Sequence, residues 1–194
     1  MSIILDLLGS SIIGGMLLFL ILNLNLFMNN ASIFSDNELR LQQNAKTLAE
    51  IVNYDLRKIG YKHNGVSILT ADKERIKFVG DLQKPGDVGH GVVDTVEYFL
   101  KDKSFASGTP NPDDVILTRV LNNKDTLDGP SLGLVKLQFT YLDSLSTVTN
   151  VLSQIRYIKT EMWLEPVEPV INQVTNKTDS IFTYWEFTIH PRNI

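Results

Sequence analysis

The first part of the chain is almost continuously apolar. Residues 3–28 are mostly Ile, Leu, Met and Phe, and residues 16–22 form an unbroken apolar run. A helix over 3–28 is about 39 Å long, so a bilayer core of about 30 Å accepts it as one tilted crossing. No Lys or Arg precedes Arg40, so the basic start of a cleavable secretory signal is absent. We therefore expect residues 1–30 to form a retained transmembrane helix, on whose orientation the charge rule is silent.

This apolar stretch carries one acid and several small residues. Asp6 either lies at the level of the lipid headgroups, where a charge costs little, or pairs with a cation from another chain. Gly14 and Gly15 follow Ser10 and Ser11 by four residues, a spacing that lets helices approach closely in lipid. Asp6, Gly14 and Gly15 are therefore candidates for setting the register and packing of this helix.

A second periodic pattern follows a polar patch at 29–37, which we expect to loosen or bend the helix. Apolar residues then recur every three or four positions and predict an amphipathic helix within residues 31–60, with an apolar face of Ala45, Leu48, Val52, Leu56 and Ile59. Gly60 suits a C-terminal cap. A helix with one apolar face needs a partner surface, which the rest of the chain can supply.

From residue 61 the apolar positions change to a period of two, which is typical of strands. The clearest alternation is at 135–141, and turn residues separate further expected strands at 66–70, 75–79, 92–100, 115–121, 155–164 and 181–189. Residues 144–153 could form a short helix or a loop. Residues 61–194 thus predict a β-rich globular domain. The fold class is α+β, with a long N-terminal helix packed on an antiparallel β-sheet.

Composition excludes several classes of function. The chain of 194 residues has no cysteine, which excludes a disulfide scaffold, a Cys-ligated metal site and thiol catalysis. The net charge of −4 argues against nonspecific nucleic-acid binding. All 18 Lys and Arg follow residue 39. The unremarkable average therefore combines an apolar rod with a polar domain.

Candidate catalytic chemistry is sparse, and we expect no enzyme. The three histidines lack a metal-ligand spacing, and the chain has no G-x-S-x-G elbow and no P-loop. Trp163 and Trp185 lie in predicted strands, as core or edge residues. Calcium is the one cofactor considered, at the acid pairs Asp113–Asp114 and Asp125–Asp128, although Asp also simply favours turns.

Four segments, in this order, carry a family resemblance. They are the apolar start with Asp6 and Gly14-Gly15; residues 41–45 (LQQNA) continuing to 54–61 (YDLRKIGY); the expected strand pair 95–100 and 117–119; and the terminal Pro191-Arg192-Asn193. Together they resemble the type IV pilin-like superfamily, and more narrowly the PilW-like minor pilins and the J-type minor pseudopilins of type II secretion.

The resemblance implies a structural subunit that inserts by its N-terminal helix and helps to assemble or prime a type IV pilus or a pseudopilus. Implied partners are other pilin or pseudopilin subunits, the inner-membrane assembly machinery and the lipid bilayer. The implied location is a single-pass inner-membrane protein with an extracytoplasmic C-terminal domain, found in an envelope or cell-surface filament after assembly.

The match at the N terminus has two departures from the family pattern. The first is the acid itself: without Met1, Asp6 would be the fifth residue, where the family has Glu. In the family pattern, pairing of this acid with a neighbour's N-terminal amine would set the helix register. The family's short basic leader ending in Gly does not precede Ile3. Either the true start differs from the one shown, or processing is not the usual one.

The residues leave two questions open. Asp55, Arg57 and Tyr61 either form a buried network between the helix end and the sheet, or contact a neighbouring subunit. The whole chain is either a pilin-like subunit or a single-pass, membrane-anchored extracytoplasmic binding domain unrelated to pili. An anchored hydrolase that uses scattered carboxylates is the least supported reading.

Overall fold

One uninterrupted helix organises the chain. The computed structural model describes residues 2–83, 85–87, 89–106, 108–129, 132–168, 170–172, 177–179 and 181–194, and helix α1 spans Ser2–Leu56. The polar patch at 29–37 does not interrupt α1. Its side chains stay in solvent or bond back onto the helix, as Asn37 does to the Ile33 carbonyl at 2.9 Å, so the backbone ladder is kept.

The predicted apolar face of the helix is confirmed. Ala45, Leu48, Val52 and Leu56 are each at most 3% exposed, and they belong to one core with the sheet residues. This burial of a single stripe explains why the C-terminal half of α1 packs onto a sheet.

Helix α1 ends at Leu56. Ile59, which the sequence placed on the apolar face of the helix, lies three residues further on, in the turns that follow. Gly60 adopts a φ of +74° and donates its N–H to the Val79 carbonyl at 2.8 Å. Gly80 lies so close to this turn that a Cβ on it would be 2.2 Å from the Lys58 carbonyl oxygen. The helix end is therefore joined directly to the neighbouring strand through two glycines.

The described residues form three antiparallel sheets, where the sequence predicted one. The strands are β1 (Ile68–Ala71), β2 (Arg75–Gly80), β3 (Asp94–Lys101), β4 (Ile116–Leu121), β5 (Asp125–Asp128), β6 (Leu134–Leu142), β7 (Tyr157–Leu164), β8 (Val170–Asn172), β9 (Lys177–Asp179) and β10 (Thr183–Ile189). Their orders in the three sheets are β1-β2-β3-β4-β5, β10-β7-β6 and β8-β9. The α+β class is confirmed, with α1 packed on antiparallel sheets.

The two larger sheets meet along β6. The Phe139 N–H bonds to the Lys73 carbonyl at 2.7 Å, and the Tyr141 hydroxyl donates to the Asp72 carbonyl at 2.9 Å. Lys73 and Asp72 lie in the turn between β1 and β2. The sheets therefore share one core, although a break in strand pairing separates them.

Each predicted strand overlaps an observed one, but β5, β8 and β9 were missed. The four residues of β5 are all exposed, so no alternation of apolar residues marks it. The strand forms because Asn122 and Asn123 both take a φ of 54°, and Lys124 N–H closes the turn on the Leu121 carbonyl at 3.0 Å. These are the features of a tight hairpin turn with mirror-image geometry.

Two other predictions end differently. Residues 144–153 form a loop, with a short 3-10 turn at Leu152–Gln154. Met1 lies outside the described residues. So do Pro130, between the expected strands 115–121 and 135–141, and residues 169 and 173–176, between the expected strands 155–164 and 181–189. The division into residues 1–30, 31–60 and 61–194 stays a prediction.

We expect Gly80→Ala to lower the free energy of unfolding by about 1–3 kcal/mol or more, because the new methyl group would overlap the Lys58 carbonyl. Gly108→Ala is the control, since a Cβ there meets no atom within 4 Å. Chemical denaturation of both variants tests this, and equal stability of the two would contradict the close approach.

Candidate functional site: the exposed apolar helix and its buried anchor

The N-terminal half of α1 has no partner within the described chain. Every large apolar side chain from Ile3 to Met28 is at least 42% exposed. Among the described residues, α1 is the one helix long and apolar enough to cross a membrane, and its most apolar window of 18 residues has a mean hydropathy of 2.2. An apolar surface of this extent requires lipid or other apolar helices around it.

The predicted packing residues all lie on this exposed half. Asp6 is exposed and forms no ion pair or hydrogen bond with the described residues. A Cβ built on Gly14 or Gly15 would meet nothing within 4 Å. The structure therefore does not bring these three residues together, but it leaves each of them accessible to another chain.

The C-terminal end of α1 is anchored by a buried carboxylate. Asp55 is 4% exposed, and its Oδ2 accepts a hydrogen bond from the Tyr98 hydroxyl at 2.7 Å and from the Arg119 Nε at 2.6 Å. Tyr98 on β3 lies directly opposite Arg119 on β4. Two neighbouring strands of the five-stranded sheet thus hold one helix residue.

The surroundings of this network favour a charged Arg119 guanidinium and a neutral Tyr98 phenol. Burial raises the pKa of Tyr98, and the adjacent Asp55 carboxylate raises it further. Burial alone would lower the pKa of Arg119, but its bond to Asp55 outweighs burial and raises that pKa. The guanidinium therefore stays charged opposite Asp55, and the phenol keeps the proton that it donates.

Asp55 does not make these contacts with the residues proposed beside it. Arg57 is exposed and Tyr61 is 39% exposed, so they lie at the surface of the helix end. Sequence reasoning missed Tyr98 and Arg119 as site residues, although both lie in the strand pair that carried the family resemblance. Their register across the two strands is the signal that only the structure supplies.

A second buried carboxylate holds the loop between β2 and β3. The Asp81 side chain is 0% exposed and accepts the N–H groups of Gly91 at 2.8 Å and Gln83 at 3.1 Å. Lys62 Nζ and His90 Nδ1 lie 3.4 and 3.2 Å from its Oδ2. Desolvation by burial opposes ionisation of Asp81, but the two N–H donors, Lys62 and the electrostatic effect of the nearby His90 outweigh it and lower the pKa of Asp81. One carboxylate therefore binds both Gln83 and Gly91, the two ends of the segment that contains Gly86 and Gly89.

Two of the four acids considered for calcium form ion pairs with lysines. Asp113 pairs with Lys103, and Asp128 pairs with Lys101 at 2.7 Å. In the described part of the chain, no group of three or more His, Asp or Glu residues is placed to hold a metal ion.

The two tryptophans have different environments. Trp185 is half-buried and packs against the core. Trp163 lies on the outer face of β7, where Lys136 Nζ is 4.3 Å from its ring centre and the Tyr184 ring is 5.1 Å away.

Comparison with known proteins gives a likeness among solved structures. No family model matches the chain, and no curated protein matches it. Among solved structures it is similar to a type IV-like pilin from Thermus thermophilus, with 10% identity and a TM-score of 0.47, over 79% of this chain and 95% of that chain. The fold expected from the sequence, a long N-terminal helix on antiparallel sheets, is observed directly.

We expect Asp55→Ala to lower the free energy of unfolding by about 3–5 kcal/mol, because the Arg119 charge would stay partly buried without its partner. Tyr98→Phe removes one bond to a carboxylate and should cost about 1.5–3 kcal/mol. Glu50→Ala is the matched control, since this carboxylate on the same helix is 69% exposed and should change stability by less than about 0.5 kcal/mol. Thermal and urea unfolding of the three variants would refute the anchor if they were equally stable.

Acid should weaken the protein partly through Asp81. Its pKa is lower in the folded chain than the ordinary value of 3.8, so its stabilising effect is complete above that value and is lost as the pH falls towards the folded pKa. We expect Asp81→Asn to be less stable than the original chain at pH 7 and to lose less stability between pH 5 and pH 3. Urea midpoints at several pH values measure this, and parallel pH profiles would show that Asp81 contributes nothing.

Proposed function

We propose that the chain is a pilin-like structural subunit, held in a membrane by the N-terminal half of α1 before it joins a filament. The observation that carries this proposal is the single helix with two environments. Residues 3–28 are exposed and apolar, while residues from Leu41 onward pack into a folded domain.

The exposed apolar half of α1 requires an apolar environment, and this requirement is the physical reason for the proposal. A subunit held by one helix can leave the bilayer only if its apolar surface moves into another apolar environment. Packed helices of like subunits provide that environment, and the polar sheet domain then lies outside the helical core.

Three residues of the exposed half have defined roles in this proposal. An unpaired Asp6 carboxylate would be unfavourable among packed helices, so a neighbour's cation, such as an N-terminal amine, pairs with it and sets the register. Gly14 and Gly15 allow close approach of a second helix. Their lack of contacts within the chain supports a role between chains.

The finer assignment is to a minor pilin or minor pseudopilin that helps to assemble or prime a type IV pilus or a type II secretion pseudopilus. Its partners are other such subunits and the inner-membrane assembly machinery. Its membrane form has a single span of the inner membrane and an extracytoplasmic domain. The motifs in the sequence support this assignment, and the anchored helix end supplies the rigid connection that such a subunit needs.

Helix packing can be tested without disturbing the folded domain. We expect the double variant Gly14→Leu and Gly15→Leu to insert into membranes and to keep its thermal stability, because the added side chains meet nothing in the monomer. In the native host its share in sheared surface or envelope filaments should fall at least tenfold, since the bulk prevents close helix contact. Leu18→Ile, which adds no volume, is the control and should be incorporated normally.

The acid gives a second arm of the same experiment. Asp6→Ala should reduce incorporation, and Asp6→Glu should restore it, because the carboxylate rather than its exact reach pairs with the neighbour's cation. Normal incorporation of both the leucine variant and Asp6→Ala would overturn the packing roles of Gly14, Gly15 and Asp6, and absence of the original chain from filaments would overturn the proposed subunit. Membrane fractionation with no filament-associated protein would instead favour the membrane-anchored binding domain.

A further inference from the structure

A groove runs between α1 and the edge strand β10. In the order β10-β7-β6, β10 pairs only with β7, and among the described residues no backbone hydrogen bond joins it to a second strand. The outward N–H and C=O groups of such a strand are a template for another extended chain.

The residues that line the groove show its direction. Trp185, Glu186 and Phe187 all line it, opposite helix residues from Lys46 to Arg57. Successive side chains of a strand point to opposite faces, so a groove that touches three in a row runs along the edge of the strand. Residues 185–190 span about 17–20 Å, which accommodates about five or six residues of extended peptide.

The groove has an apolar part and a cationic end. Trp185 and Phe187 provide aromatic surface beside Ala49 and Tyr54 of the helix. Further along β10, a second depression shares Arg57 with the groove and adds Thr188, His190 and Arg192. His190 packs against the Tyr157 ring, with ring centres 5.0 Å apart, which holds the imidazole at this end.

The two arginines are distinguished by what they lack. Arg57 and Arg192 form no ion pair with the described residues, in a chain whose net charge is −4. By contrast, the two carboxylates that line the groove each have a lysine partner: Glu186 is bound by Lys159 at 2.9 Å, and Glu50 lies 3.9 Å from Lys46. Two guanidinium groups at one depression are suited to a carboxylate, which they can bind through paired N–H donors.

We propose that this groove binds an extended acidic segment of a partner subunit. Its backbone adds to the open edge of β10, an apolar side chain lies against Trp185 and Phe187, and an Asp or Glu side chain lies between Arg57 and Arg192. Main-chain pairing supplies affinity in this mode of recognition, and the side-chain contacts supply specificity. Only the identity of the partner as a subunit rests on the proposed function.

The test uses the full chain in detergent micelles and three kinds of peptide. The probe is a fluorescent Val-Thr-Phe-Thr-Asp-Glu peptide with an amidated C terminus, so that only side-chain carboxylates are present. One control peptide carries Lys in place of Asp and Glu. Two others are N-methylated at alternate residues, one for each parity, because N-methylation removes the backbone donors that strand addition requires.

Fluorescence anisotropy should show saturable binding of the acidic probe. Affinity should fall at least tenfold for the lysine peptide, for at least one N-methylated peptide, and for the double variant Arg57→Gln and Arg192→Gln. Lys124→Gln, on the far turn between β4 and β5, removes one exposed charge and should leave binding unchanged. Circular dichroism melts confirm that each variant is folded.

The outcomes are decisive in both directions. Absence of saturable binding, unchanged affinity in the double arginine variant, or unchanged affinity for both N-methylated peptides relative to the unmethylated probe would overturn the docking site. If the peptide does not bind while the Gly14 and Gly15 substitutions still abolish filament incorporation, the docking site fails and the proposed function stands. If the peptide binds but the original chain is absent from filaments, the docking site stands and the proposed function fails.

Discussion

The carboxylate of Asp55 is the constraint on which the rest of the structure depends. A buried charge is tolerated only when it is paired, and its partners, Tyr98 and Arg119, come from two strands that lie 43 and 64 residues further along the chain. The end of α1 therefore has one position on the five-stranded sheet. Gly60 and Gly80 add a direct backbone contact at the same place. This junction fixes the C-terminal end of the helix, and the buried stripe that begins at Leu41 packs the rest of its C-terminal half onto the domain.

The two halves of helix α1 lie in different environments. The C-terminal half packs into the protein core, where Val52 and Leu56 are fully buried. Its N-terminal half keeps its apolar side chains exposed and gains no such stabilisation within the chain. Because the backbone ladder continues across the polar patch, the two halves form one element. Residues 3–28 are therefore continuous in one helix with the residues that pack against the β domain.

The fold was largely predictable, and the buried polar groups were not. Periods of 3.6 and 2 located the helix face and seven strands, since burial of one face leaves a mark on the order of residues. Strand β5 shows no alternation of apolar and polar residues, because its four residues are all exposed. It forms because of the geometry of the turn that precedes it. The sequence left Asp55, Arg57 and Tyr61 as either a buried network against the sheet or a contact with a neighbouring subunit, and of the three only Asp55 is buried. Partners across strands depend on register, which a single sequence does not display.

The order of residues alone specified an apolar helix with one acid, an amphipathic continuation and a β-rich domain, because hydrophobic periodicity is a local property. It also marked Asp6, Gly14 and Gly15 as candidates for packing between helices, which stays a prediction. The tertiary structure decided the rest: the division into separate sheets, the contacts of Asp55 and Asp81, and the approach of Arg57 to Arg192. Each of these joins residues distant in sequence, and only packing brings such residues together.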